Sequence, residues 1–191
     1  MRKIQKASAY LLVIFNVLLV STPLLIVMKW VFVEAKIMNA PAIVNFFGLL
    51  ENMIQTPEGL INLSTVPWTS FSKILGFSSD ILSILPFVLS LFILKSIFKN
   101  YQNSEIFSAV NAIHYKKLAW LFLTDALIIK PLSATLMVLA VTLTNPPGHR
   151  YINIHFGTPN LEALFFSALL IVISWVMLEA SKIHDEQKFI I

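Results

Sequence analysis

No cysteine occurs among the 191 residues. That excludes disulfide scaffolds, thiol nucleophiles, cysteine metal sites and quinone-linked disulfide oxidoreductases, all of which need thiols. Charge is scarce, with Asp, Glu, Lys and Arg at 13%. No phosphate-binding glycine loop, zinc-protease histidine pair or Ser-His-Asp set is present. No histidine lies within an apolar run, so a haem held between helices would have no axial ligand. His149, His155 and Glu162 do not have metal-ligand spacing. The formal net charge of +4 is spread over loop ends without a basic stripe, which argues against direct nucleic-acid binding. These absences leave no expected catalytic residue, metal or cofactor, and the chain is read as a non-enzyme.

What the chain does have is apolar length. It is 57% hydrophobic, with a mean hydropathy of +0.79, a membrane composition. Spanning takes about 20 apolar residues. Four runs qualify, at about 9–33, 80–98, 118–143 and 161–181. The N-terminus imitates a signal peptide, but its run continues to about Val33 and lacks a good cleavage site, so it reads as an uncleaved first span. Pro23 should kink that span, and Lys29 and Trp30 should snorkel near its far end.

Residues 34–79 form the expected outer cap. Asn39-Ala40-Pro41 opens an amphipathic helix with Ile43, Phe46, Phe47, Leu50, Met53 and Ile54 on one face. Thr56-Pro57-Glu58-Gly59 breaks it. Thr65-Val66-Pro67 opens a second short helix, and Ser78 or Ser79 caps the second span. Residues 99–117 and 144–160 are loops. Tyr151 to Phe156 alternates polar and apolar, so it reads as a strand, with Ile61 to Val66 as a partner. The expected fold is a single all-α membrane domain. It is an antiparallel bundle of four transmembrane helices, with an extracytoplasmic amphipathic cap and a short two-stranded sheet.

Orientation follows from the distribution of Lys and Arg. Arg2, Lys3, Lys6, Lys95, Lys99, Lys116, Lys117, Lys182 and Lys188 fall on one side. Lys29, Lys36, Lys73 and Arg150 fall on the other. Nine against four places both termini and the 99–117 loop in the cytoplasm.

The third run carries Asp125, Lys130 and Pro131. A charge at the centre of a lone span costs at least about 2.5–3.5 kcal/mol, so such residues usually face a bundle interior. Ala126, Lys130, Ser133 and Met137 fall on one helical stripe, which points Lys130 inward. Pro131 cannot donate to the carbonyl of Leu127, leaving an acceptor near the ammonium. Small residues recur every seven positions at Ala119/Ala126/Ser133/Ala140, Ala9/Asn16/Pro23, Ser83/Ser90 and Ser167/Ser174/Ser181, as in close-packed helix seams. Lys95 and Glu179 lie at one level and could pair, or Lys95 could pair with Asp125.

Two cytoplasmic stretches carry a family resemblance. One is Ile97-Phe98-Lys99-Asn100-Tyr101, then Glu105-Ile106-Phe107-Ser108 and Asn111, then Lys116-Lys117-Leu118-Ala119-Trp120. The other is Glu179-Ala180-Ser181-Lys182-Ile183 leading to Asp185-Glu186-Gln187. Together they resemble an uncharacterised bacterial family of four-span membrane proteins, the domain of unknown function twenty-nine seventy-five. Ser104 stands where that family usually has glycine. Members are often encoded beside a small helix-turn-helix regulator. The resemblance thus implies a bacterial inner-membrane protein working with a DNA-binding cytoplasmic partner. Asn103 or Ser104 should cap a short loop helix with Phe107 and Val110 on its apolar side. That helix and the C-terminal tail would form one docking surface, with Glu105, Phe107, Asn111, Asp185, Glu186 and Gln187 as its specific groups. The alternative function is a small transporter or permeability element using Lys130 and Asp125. The lipid bilayer is the chain's other expected partner.

Overall fold

Helix dominates because long apolar runs must satisfy their own backbone groups where water is absent. The computed structural model describes residues 2–34, 53–152 and 161–188. In chain order these form α1 (Arg2–Val31), β1 (Met53–Thr56), β2 (Gly59–Asn62), a single 3-10 turn (Leu63–Thr65) and α2 (Ser70–Gln102). Then come α3 (Ala109–Thr124), a π-helical turn (Asp125–Ile129), α4 (Lys130–Thr142) and α5 (Leu161–Lys188). Four helical stretches are long and apolar enough to cross a membrane: Lys3–Val31, Ser70–Gln102, Ala109–Thr142 and Ala163–Gln187. The protein is a multi-pass membrane protein.

The second span starts earlier than expected. Helix α2 begins at Ser70, so the short helix expected after Pro67 is its first part. Ser78 and Ser79 lie inside it and cap nothing. The Ser78 hydroxyl donates to the Ile74 carbonyl at 2.8 Å, and that of Ser79 to the Ser133 carbonyl at 2.6 Å. The expected amphipathic helix falls mainly in residues 35–52, outside the described residues. Its last two members, Met53 and Ile54, belong to β1 instead.

The small sheet is a local hairpin. Strands β1 and β2 pair antiparallel, from Met53 opposite Asn62 to Thr56 opposite Gly59. Pro57 presets the backbone of the turn, and Gly59 adopts φ 123°, where a side chain would be strained. The Thr56 hydroxyl donates to the Gly59 carbonyl at 2.9 Å and closes the turn. A two-residue connection costs far less chain entropy than the long-range pairing expected of 151–156 with 61–66. Tyr151 and Ile152 are not in a strand, and residues 153–156 lie outside the described residues.

The chain divides into two compact units. The first comprises Met1–Leu19, Pro86–Leu127 and Thr158–Ile191, and the second Val20–Leu85 and Ile128–Gly157. In the first, α3 packs along α5, and the Ser174 hydroxyl donates to the Ala112 carbonyl at 2.8 Å. Phe15 and Phe98 meet edge to face there. In the second, Leu63, Val33, Trp30 and Val141 form the core. Trp68 meets Trp30 edge to face and donates its indole N–H to the Leu63 carbonyl. Gly76 lies against the Trp30 ring so closely that a Cβ there would collide with it.

Two of the expected seams are buried throughout: Ala119, Ala126, Ser133 and Ala140, and Ser167, Ser174 and Ser181. In α1 the buried line is Ser8, Phe15, Thr22 and Lys29, one position before the expected Ala9, Asn16 and Pro23. Asn16 and Pro23 are exposed, as is Ser83 in α2.

Candidate functional site

The recognisable residues between α2 and α3 form a tightly held loop, and no helix forms there. Helix α2 ends in a Schellman arrangement: the Glu105 amide donates to the Asn100 carbonyl at 2.9 Å, and the Ser104 amide to the Tyr101 carbonyl at 3.2 Å. This requires a left-handed residue between helix and loop, and Ser104 takes φ 66°. Glycine adopts that conformation without the Cβ penalty. Gln5 buttresses the turn by donating to the Ser104 hydroxyl at 2.9 Å and the Gln102 carbonyl at 3.2 Å.

Helix α3 starts at the other end of the loop. Ser108 is its N-cap, with its hydroxyl accepting from the Asn111 amide at 3.2 Å. The side chain of Asn111 is fully buried. Its Nδ2 donates to the carbonyls of Glu105 at 2.7 Å and Ile106 at 3.0 Å, and its Oδ1 accepts from Asn100 Nδ2 at 2.8 Å. A buried amide needs this many partners, or it would carry a desolvation cost. Asn111 therefore holds the loop from beneath and is not itself a surface group. Tyr101 and Tyr115 add a hydroxyl-to-hydroxyl bond of 2.7 Å between the two helices.

The clamp leaves Glu105 exposed and Phe107 51% exposed, followed by exposed Val110 and Ile113. On α5 of the same unit, Asp185, Glu186 and Gln187 are all exposed. Glu179 is exposed too and pairs with Lys182 at 2.8 Å, three residues along its own helix, and not with Lys95. Lys95 is half-buried.

Asp125 is half-buried and opens the π-helical turn, which runs directly into Lys130 and Pro131. Ala126, Ser133 and Met137 stay buried, but Lys130 is exposed and leaves the stripe expected to carry it inward.

The buried charge lies elsewhere, on residues that sequence reasoning missed or misplaced. Lys29 does not snorkel: it is 4% exposed, and its Nζ lies 2.8 Å from Asp80 Oδ2. The same oxygen accepts the Trp30 indole N–H at 2.7 Å. From sequence Asp80 reads as the mouth of the second span. The available signal was that the apolar pattern of Phe71, Ile74 and Leu75 continues upstream of it without a break.

A third polar cluster is exposed. The Glu58 carboxylate, at the hairpin tip, lies 2.6 Å from His149 Nδ1 and accepts the Tyr151 hydroxyl at 2.7 Å. The bonds from His149 and Tyr151 hold the Glu58 carboxyl below its ordinary range. The bond to Glu58 holds the Tyr151 phenol above its own. Among the described residues no three histidine or carboxylate side chains converge as a metal site would require.

A family model described as a protein of unknown function, DUF2975, matches residues 62–191. No curated protein and no solved structure matches the chain.

Proposed function

The chain belongs to the DUF2975 family, and from that premise we propose that it is a non-enzymatic regulator or sensor of the bacterial inner membrane, acting through a cytoplasmic helix-turn-helix partner. In this reading its four spans form an antiparallel bundle with both termini in the cytoplasm. The observation that carries it is the clamped loop. A phenylalanine half exposed on a backbone already fixed by Asn111 and the Schellman turn loses little further freedom when a partner covers it. Glu105 beside it, and Asp185 and Glu186 on the tail, supply negative charge for steering a basic partner. The surfaces that bind DNA depend on positive charge, so the same groups could hold such a regulator away from DNA.

The charge distribution supports this orientation. All nine basic residues assigned to the cytoplasmic side fall in the first unit, and the described ones assigned to the outer side, Lys29, Lys73 and Arg150, fall in the second. The transporter alternative loses support from two observations: Lys130 is exposed, and Lys29, the deeply buried lysine among the described residues, is committed to Asp80.

The test is retention of the neighbouring helix-turn-helix regulator on membranes. Wild-type protein should retain it. Glu105→Lys with Phe107→Ala, or deletion of His184 to Ile191, should release at least about nine-tenths of it with thermal unfolding in detergent unchanged, since hot-spot contacts cost about 2 kcal/mol or more. A regulator that stays soluble beside the wild-type protein refutes the proposal. Ion or solute flux that depends on Asp125 and Lys130 would then establish the alternative.

A further inference from the structure

The first unit contains a groove of about 660 Å³ between α2 and α3, a volume within the roughly 300–1,000 Å³ of small-ligand sites. Its lining is almost wholly apolar. Leu89, Phe92 and Trp120 lie along it, and each is exposed enough to contact an occupant. Toward the loop end stand Lys116 and Lys117, one turn after Ile113, and at the other end Thr124. No carboxylate lines the groove. Neither lysine makes an ion pair or hydrogen bond among the described residues.

Length and polarity together select the occupant. From Lys117 to Thr124 the lining runs seven steps along α3, about 10 Å at 1.5 Å per residue. That fits within half of a hydrocarbon core about 30 Å thick, the depth of one leaflet. Both cations sit at the end where α3 leaves the polar loop, and Trp120 follows one turn deeper. Basic residues at the headgroup level with an aromatic ring just beneath are what a membrane–water interface selects. A soluble apolar ligand would leave two lysines without a counter-charge. A zwitterionic lipid would bring a second cation to the same place.

We propose that the α2–α3 groove is a binding site for one anionic phospholipid, its phosphate held by Lys116 and Lys117 and an acyl chain laid along Trp120 and Phe92 toward Leu89 and Thr124. The site is independent of the partner-docking reading, since it uses none of Glu105, Phe107, Asn111, Asp185, Glu186 and Gln187. It would make the protein responsive to the anionic lipid content of its own leaflet.

The test is native mass spectrometry of the full-length protein in detergent, titrated with phosphatidylglycerol or phosphatidylcholine of identical chains. Wild type should bind one phosphatidylglycerol at least about tenfold more tightly than phosphatidylcholine, because each basic residue near an anionic headgroup is worth roughly a factor of five. Lys116→Gln with Lys117→Gln should remove that preference and leave phosphatidylcholine binding within about twofold. Lys95→Gln with Lys99→Gln, which changes net charge equally outside the groove, should keep it. Leu89→Trp, which fills the deep end, should weaken both lipids. Equal affinity of the wild type for the two lipids would overturn the proposal. So would loss of preference in the Lys95/Lys99 variant with retention in the Lys116/Lys117 variant.

Discussion

The two units hold their polar groups in opposite ways. In the second, a charged pair is sealed inside: Lys29 and Asp80 share one carboxylate oxygen with the Trp30 indole. In the first, the buried polar side chains that are described are neutral, and the amide among them, Asn111, sends its donor bonds to loop backbone. A buried charge depends on one partner, and loss of that partner leaves the other uncompensated, at about 3–5 kcal/mol. A buried amide spreads its requirement over several bonds, and its loss leaves carbonyls at the edge of the loop, at about 1–3 kcal/mol. The charged cluster is therefore read as fixing the packing of its unit, and the amide as shaping a surface.

The sharpest way to break this contrast is Lys29→Met. It should lower unfolding stability in detergent by about 3–5 kcal/mol, because the Asp80 carboxylate is left without the ammonium that pairs it. Adding Asp80→Asn should recover more than half of the loss, since a neutral amide oxygen can still accept the Trp30 indole N–H. A single variant as stable as wild type would mean that the pair is idle.

Asn111→Ala should cost about 1–3 kcal/mol. Its more telling effect is local. The Glu105 amide, bonded to the Asn100 carbonyl, should exchange with solvent faster, while exchange around Lys29 and Asp80 stays unchanged. Uniform loosening of both units would show that the amide does more than hold the loop.

Much of this was legible from the sequence, and the misses have physical causes. Apolar length gave the four spans because nothing else satisfies backbone groups in hydrocarbon. Small residues every seven positions gave the seams of the third and fourth runs. The first seam was displaced by one position because it is built from Phe15 and Lys29, which a search for small residues passes over. The stripe of Ala126 and Ser133 predicts Lys130 inward; both stay buried across the π-helical turn, while Lys130, directly after it, is exposed. Ser78-Ser79-Asp80 had the composition of a helix start, but these polar groups serve the helix interior: Ser79 bonds across to α4, and Asp80 to Lys29. The docking residues Glu105 and Phe107 were found as a motif. That Asn111 lies beneath them could not be read from sequence, because one asparagine serves equally well on a surface or inside.

Ser104 offers a smaller test. Its φ of 66° places it where an L residue is strained. Ser104→Gly should stabilise the protein by about 0.5–1 kcal/mol, the relief of the left-handed penalty less the extra entropy of glycine in the unfolded chain. The exposed bond from Gln5 to the Ser104 hydroxyl is lost in the same variant. A net destabilisation would show that this bond outweighs the backbone term.

The smallest effect is expected at the hairpin tip, where the second unit carries charge in the open. Glu58 is ionised in the arrangement with His149 and Tyr151, and these bonds lower its carboxyl below the ordinary 4.5. Since the folded value lies below the unfolded one, the stabilisation is present above pH 4.5 and is lost as pH falls through the lower folded value. The Tyr151 phenol, raised above its ordinary 10.0 by the same bond, works in the other direction. Its contribution is present below that pH and is lost as pH rises through the raised value. The tie between the hairpin and Tyr151 should therefore hold across the neutral range and loosen at both extremes. Hydrogen exchange of the amides paired between β1 and β2, followed from acid to alkaline pH and corrected for intrinsic rates, should show a broad protected plateau. Glu58→Gln should flatten both edges, because the amide does not ionise in that range. A profile identical in the two proteins would mean that the exposed cluster is too well screened by solvent to hold the hairpin, in contrast to the sealed charge at Lys29 and Asp80.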